Sequence, residues 1–322
     1  MNMKEFYICA AVFTSKKILV YKDGEFFYAN IGGRIHIPIL VGDVLECSDI
    51  YDQKYVTNIM PRKNIISRKQ NGHRQGLASN IDIVFIITSA NQDFNIARLE
   101  RYFFIAKESG AKVCFVLSKT DLNENCNQLI KVLEERFPQC FVAKTSVYDS
   151  GSDLLKYWGE NETAVFLGSS GVGKSSLINR LMKENLIKTN TIRNSDGKGR
   201  HTTTSRHMYV LNDNRKVIDT PGLRSVGISP NADTIAELFP EICELVGKCK
   251  FSDCTHTNEP ECAIRYAIEQ GEIDYDNFLR YLKLNGDEKK RELFLKGKVY
   301  EKEAMLKDLK RNNRHKRKNG GR

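Results

Sequence analysis

No stretch of about 18 consecutive apolar residues occurs in these 322 residues, so the sequence offers no transmembrane helix. The opening segment, Met1–Phe6, lacks the basic start and apolar stretch of a secretory signal, and the expected location is the cytoplasm. No internal repeat is visible. Nor do the nine cysteines look like a disulfide framework. Their number is odd, and Cys9, Cys47, Cys114, Cys126 and Cys140 stand singly, as reduced core thiols do. The other four fall between Cys243 and Cys262 and need a different explanation. With 41% hydrophobic residues, the chain is long enough for two or three domains with proper cores.

Acid is also missing from one long segment. Gln53–Ile81 carries six Lys/Arg and no Asp or Glu, and Lys296–Arg322 carries eleven Lys/Arg against three acids. Within a net charge of +10, two separated basic regions predict a polyanionic partner, nucleic acid foremost. For either region alone a solvated segment is the alternative.

Residues 1–68 read as five short strands: Phe6–Phe13, Lys17–Tyr21, Glu25–Tyr28, Gly42–Cys47 and Tyr55–Ile59. They are rich in β-branched and aromatic residues, and Asp23-Gly24 and Gly32-Gly33 mark turns between some of them. That pattern suits a small barrel of the OB type, a fold that often binds RNA and that can also serve packing alone. From about Asn80 the rhythm changes. Ile81–Ile87 and Val113–Leu117 are continuous apolar runs, as in buried parallel strands. Between them Ile96, Leu99, Phe103 and Ala106 recur at helical spacing, with Gly110 placed to end the helix. Ala164–Leu167, the helix after Lys174, and Lys216–Asp219 continue the alternation, predicting an α/β domain over 69–228. Beyond about residue 230 the chain reads as helical, giving a third segment, 229–322, that ends in the basic tail.

Within the α/β segment lie the parts of a guanine-nucleotide site in an unusual order. Gly168, Ser169, Ser170, Gly171, Val172, Gly173, Lys174 and Ser175 fit GxxxxGK[ST], a loop whose backbone N–H groups cradle phosphates. The helix that follows, with Ser176 in its first turn, adds its dipole. Lys174 is placed to reach the β- and γ-phosphates and Ser175 to ligate Mg²⁺. Asp219-Thr-Pro-Gly222 then supplies a magnesium-side carboxylate, Asp219, and a γ-phosphate sensor, the Gly222 N–H. Gly199–Ser205 between them holds Thr202, Thr203 and Thr204. Thr203 is the choice for a magnesium-ligating threonine. The base-reading residues Ser118, Lys119, Thr120 and Asp121 come before the phosphate loop rather than after it. Asp121 can accept from guanine N1–H and the exocyclic amine, a donor pair that adenine lacks. Ser118 stands where Asn or Thr is usual. Thr145-Ser146-Val147 resembles the segment whose backbone N–H meets guanine O6, with Ser146 the candidate.

A parallel sheet gathers its ligand loops at the carboxyl ends of its strands, so spatial position matters and chain order does not. If the ancestral termini lay close together, they could be joined and the chain cut elsewhere. The expectation is a circularly permuted P-loop GTPase domain. After Gly222 comes Leu223, which can neither donate nor accept where many GTPases keep a water-orienting glutamine. Slow hydrolysis by the isolated protein is expected.

The four remaining cysteines resolve into Cys249-x4-Cys254-x-His256-x5-Cys262, with Cys243 a weak competitor. Three thiolates and an imidazole within so short a span match a closed, tetrahedral, structural Zn²⁺ site.

Barrel, permuted GTPase domain and Cys-x4-Cys-x-His-x5-Cys helical module together resemble the small-ribosomal-subunit biogenesis GTPase A family over essentially the whole chain. The resemblance implies a monomer that binds the small ribosomal subunit and its rRNA late in maturation. It also implies GTP hydrolysis to GDP and phosphate, stimulated by the subunit. The alternatives are a non-ribosomal RNA-binding GTPase switch, a P-loop ATPase or small-molecule kinase, and a non-enzymatic RNA-binding scaffold.

Overall fold

A computed structural model describes residues 5–70, 73–91, 93–149, 152–184, 206–219, 232–257, 259–287, 290–291 and 295. The chain divides into two compact units, Met1–Ile228 and Ser229–Arg322.

The first unit opens with β1 (Glu5–Val12), β2 (Lys17–Lys22), β3 (Glu25–Ile31), β4 (Val44–Ile50) and β5 (Gln53–Ile59). Their order, β1-β2-β3-β5-β4, closes on itself because β4 also pairs with β1, so no strand edge is left open. Tyr7, Cys9, Ile18, Val20, Ala29, Leu45, Cys47 and Val56 fill the interior. Burial pushes both enclosed thiols up, Cys47 to about 12, which keeps them protonated and inert.

A two-stranded hairpin follows, β6 (Ile65–Gln70) against β7 (His73–Ser79). The 68/69 boundary drawn from sequence falls inside β6. The hairpin is fastened to the barrel by a buried ion pair. Asp43, fully buried, takes two bonds from Arg62 (Nε 2.7 Å, Nη2 2.8 Å), one from the Ser79 hydroxyl (2.6 Å) and one from the Leu40 N–H (2.7 Å). Four donors on one carboxylate satisfy what burial would otherwise leave exposed to a low dielectric. Gly42 beside it is obligatory: its φ is +96°, and a Cβ would meet the Ser79 carbonyl at 2.2 Å.

The α/β part comprises β8 (Ile83–Ser89), α1 (Ile96–Glu108), β9 (Lys112–Ser118), α2 (Cys126–Arg136), β10 (Phe141–Lys144), α3 (Ser152–Leu155), β11 (Thr163–Leu167), α4 (Lys174–Glu184), β12 (His207–Val210) and β13 (Lys216–Asp219). Strands β10-β9-β8-β11-β13 are parallel neighbours, and β12 joins antiparallel at the edge. Every residue of β8 and β11 is buried, which explains their unbroken apolar runs. Phe85, Trp158 and Phe166 meet edge to face at 5.5–6.5 Å in one of the cores flanking this sheet. Each such buried ring contributes about 1.5–3 kcal/mol relative to exposure. β12 also pairs with β1 through Ala11 and His207, so barrel and α/β sheet form one continuous sheet of eleven strands.

The second unit is helical among its described residues: α5 (Ala232–Leu238), α6 (Pro240–Val246), α7 (Ala263–Glu269) and α8 (Tyr275–Leu284). Asp274 caps α8 by accepting from the Asn277 N–H at 2.8 Å. Phe239, Phe278 and Tyr281 cluster in its core. No described helix is long and apolar enough to cross a membrane.

Candidate nucleotide site and metal cluster

Parallel pairing puts the carboxyl ends of β8, β9, β10, β11 and β13 along one edge. Ser89 lies beside Ser118, Leu117 beside Lys144, Ile86 beside Leu167 and Phe166 beside Asp219. The motifs that the chain delivers as base, phosphate, metal are therefore neighbours along that edge.

At its centre β11 runs into the loop Gly168–Gly173 and then α4. Gly168 sits at φ +150°, where a Cβ would come 2.3 Å from the Ile87 carbonyl, so only glycine allows the loop to fold over β8. Gly171 and Gly173 also take positive φ. Lys174 curls back, its Nζ donating to the Gly168 and Ser169 carbonyls at 2.7 and 2.6 Å. Val172 is buried beneath the loop, while Ser170, Gly171, Ser175 and Ser176 are exposed.

On the β9 side, Ser118 is buried and its hydroxyl lies 2.6 Å from the Val172 carbonyl and 3.0 Å from that of Thr88. One proton serves one acceptor at a time, and the shorter contact goes to the phosphate loop. Ser118 thus ties the base motif to that loop directly. Lys119 takes φ +57°, a left-handed conformation that costs a non-glycine residue of order 1 kcal/mol or more. It turns the chain sharply from β9 into the 3₁₀ turn Thr120–Leu122. Thr120 meets the Thr145 carbonyl through both its N–H and its hydroxyl, each at 3.4 Å. The N–H of Val147 faces Asp121 Oδ1 at 3.4 Å, whereas the N–H of Ser146 is turned to Asp149.

Asp219 ends β13. Burial raises its carboxyl, opposed by the charges of Lys174 and His207. A carboxylate and the Ser175 hydroxyl are hard oxygen donors, which fit Mg²⁺ rather than a soft metal. Thr202, Thr203, Thr204, Gly222, Leu223 and the tail Lys296–Arg322 lie outside the described residues.

In the second unit Cys249, Cys254, His256 and Cys262 bring their ligand atoms within 4.8 Å of one another. The Cys249 and Cys262 sulfurs are 3.9 Å apart, and each lies 3.5 Å from His256 Nδ1. A tetrahedron with Zn–S near 2.3 Å and Zn–N near 2.0 Å has edges of about 3.8 Å between sulfurs and about 3.5 Å between sulfur and nitrogen. Cys249, His256 and Cys262 have those spacings, and Cys254 completes the group within 4.8 Å. Burial pushes the Cys254 thiol up to about 12 and lowers the His256 imidazole. Glu259 braces the turn: it accepts from the Thr255 and Thr257 N–H groups at 2.8 and 2.9 Å, on either side of His256 at φ +62°. Cys243, in α6, is not part of the group.

A family model for the RsgA GTPase matches residues 59–229. A relative from Methanosarcina acetivorans, "Small ribosomal subunit biogenesis GTPase RsgA", is 36% identical over 309 residues, 91% of this chain and 84% of its own length. The chain belongs to the RsgA GTPase family. A Lactiplantibacillus plantarum relative, "Small ribosomal subunit biogenesis GTPase RsgA 2", is 41% identical over 249 residues, 76% of this chain and 70% of its own. Among solved structures, YjeQ from Thermotoga maritima superposes with a TM-score of 0.61 at 25% identity, covering 88% of this chain and 98% of that one. YloQ, described as a circularly permuted GTPase, shares the fold with a TM-score of 0.58 at 24% identity over 90% of this chain and 96% of its own. The fold is the permuted GTPase with an N-terminal barrel, and the enzyme hydrolyses GTP. Sequence reasoning passed over Arg180 and Asp149. Neither belongs to a spaced motif, and only the folded loop reveals their bonds.

Proposed function

We propose that this GTPase binds the small ribosomal subunit through its rRNA, assists late maturation, and hydrolyses GTP to GDP and phosphate with stimulation by the subunit. The observation that carries this reading is the likeness to relatives named for small-subunit biogenesis, extending over 91% of the chain. The barrel, the basic segment Gln53–Ile81 and the tail Lys296–Arg322 supply RNA-facing charge. The protein acts as a cytoplasmic monomer in which barrel and GTPase domain share the unit Met1–Ile228 and the helical module follows from Ser229.

In the nucleotide site, Asp121 accepts from the guanine edge, the Lys119 stem lies along the base, and Ser118, Thr120 and the 145–147 segment shape the slot. Backbone N–H groups from Gly168 to Ser176 surround the phosphates, and Lys174 neutralises their charge. Ser175, Asp219 and Thr203 hold Mg²⁺, which when bound neutralises charge developing on the phosphate oxygens. The Gly222 N–H senses the γ-phosphate. Cys249, Cys254, His256 and Cys262 hold one structural Zn²⁺, a reading supported by the spacing of the Cys249, His256 and Cys262 ligand atoms. Because Leu223 cannot orient water, the subunit supplies or aligns the missing polar group.

GTP turnover with and without purified small subunits tests the reading, together with subunit affinity in a non-hydrolysable GTP analogue and in GDP. Stimulated turnover and tighter binding in the triphosphate state are expected. Unstimulated turnover with equal affinities overturns it.

A further inference from the structure

The loop after β10 has no apolar anchor at its tip. Val147 is 60% exposed and Tyr148 is 88% exposed, so hydrophobic burial cannot fix where the tip sits. Polar bonds must do so. Within the loop, the Asp149 carboxylate accepts from the Ser146 N–H and from the Thr145 hydroxyl (2.8 Å), and the Ser146 hydroxyl accepts from the Tyr148 N–H (3.1 Å). These bonds give the loop its shape without fixing its place on the molecule.

Placement comes from the root of the loop and from one outside cation. The Thr145 N–H bonds the Leu117 carbonyl at 2.9 Å, at the root. At the tip, Arg180 Nη1 donates to the carbonyl of Ser146 and to that of Asp149 (2.8 Å), with Asp149 Oδ1 at 3.4 Å. Arg180 lies on α4, the helix whose start forms the phosphate loop. Its neighbours Leu177, Ile178 and Leu181 are buried, so its backbone is held firmly. A charged donor shared between two backbone carbonyls is among the stronger hydrogen-bonding arrangements a protein makes.

We propose that Arg180, with Asp149 as its counter-charge, is a positioning residue for guanine recognition. It holds the 145–149 loop where the Val147 N–H faces the base slot beside Asp121. The same helix then serves the phosphates with its first turn and the base with its second. Together with the bond from Ser118 to Val172, this joins base reading and phosphate binding in one rigid unit. The inference rests on the nucleotide assignment proposed above, and its test separates the two.

The full-length protein and its Arg180→Met and Arg180→Lys variants are titrated with GDP, 6-thio-GDP, IDP and ADP. The 6-thio analogue replaces the oxygen at C6, which the loop N–H reads, by a larger and weaker acceptor. IDP lacks only the 2-amine, which Asp121 reads. Arg180→Met is expected to lose about tenfold or more in GDP affinity, the loss of one charged hydrogen-bonding group. The preference for GDP over 6-thio-GDP should collapse towards one while the preference for GDP over IDP stays at the parent value. Arg180→Lys, able to reach a single carbonyl, should recover part of the first preference. A merely structural role would weaken all guanine and inosine nucleotides equally, leaving both preferences unchanged; that outcome overturns the proposal. So does a parent protein that fails to distinguish GDP from 6-thio-GDP. A parent that binds ADP as well as GDP defeats the nucleotide assignment itself.

Discussion

The nucleotide edge and the metal cluster are built on opposite principles. The first draws residues from Ser118 to Asp219 and assembles them with a parallel sheet, so its geometry belongs to hydrogen-bonded strands and a buried core. The second draws four ligands from fourteen consecutive residues, Cys249–Cys262, and no strand runs through its described surroundings. Sheet-borne sites tolerate rearrangement of chain order because the scaffold is independent of the ligand groups. A loop-borne cluster depends on spacing, and its ligands have little to hold them together except what they bind.

Removing the metal should give the sharpest contrast between the two. Structural zinc sites of this kind contribute about 10–16 kcal/mol of apparent folding free energy at neutral pH. Cys254→Ala, or a strong chelator, should therefore unfold the second unit, read as lost helical signal and increased proteolysis beyond residue 229. GDP binding by the first unit should persist. Protein purified without chelator should contain about one zinc per chain by metal analysis. Loss of nucleotide binding together with the helical signal would erase the distinction between the sites.

The complementary break lies in the sheet's own support. Asp43 is fully buried against Arg62, and removing one partner of a buried pair typically costs about 3–5 kcal/mol because the other charge is stranded. Asp43→Ala should lower the unfolding midpoint of the first unit by that equivalent while leaving zinc content unchanged. Retained stability would mean that the hairpin β6–β7 docks without the ion pair.

Much of this was legible beforehand, for local reasons. The phosphate loop needs strand, glycines and helix in sequence, and the metal cluster needs its spacing, so both survive in the linear chain. The five barrel strands were readable from β-branched and aromatic runs, and the structure matches them within a few residues. The pairing of Ala11 with His207, which fuses barrel and sheet, is a contact between segments nearly two hundred residues apart that no periodicity encodes. The basic stretch around Arg68 is not among the strands read from sequence, because β6 has only Ile65 and Ile66 as apolar residues, yet it pairs along its length with β7. Arg180 was invisible because its partners are backbone carbonyls, which carry no sequence signature.

On the proposed assignment of the nucleotide edge, Asp121 and Ser118 separate recognition from scaffolding. Asp121→Asn replaces an acceptor of two guanine donors by an amide that presents one donor to them. Two charge-assisted bonds are affected, at about 1.5–3 kcal/mol each. The preference for GTP over XTP should fall by about a hundredfold or more, towards xanthine, with thermal stability unchanged. A variant that still favours GTP as the parent does would remove Asp121 from the base slot.

Ser118 should give the smallest effect and the finest distinction. Its hydroxyl donates to the Val172 carbonyl at 2.6 Å from a buried position and needs no contact with nucleotide to act. Ser118→Ala deletes one neutral hydrogen bond, worth about 0.5–1.5 kcal/mol, and leaves a carbonyl of the phosphate loop without that donor. GDP affinity should fall by about two- to tenfold. Because the hydroxyl is spent on the Val172 carbonyl and presents nothing to the edge of the base, the weakening should be the same for GDP, IDP and 6-thio-GDP. That uniformity is the opposite of what Arg180→Met is expected to show. Should Ser118→Ala instead change the preference among bases, its hydroxyl would belong to the recognition surface, and the division of labour between the two ties across this edge would have to be reversed.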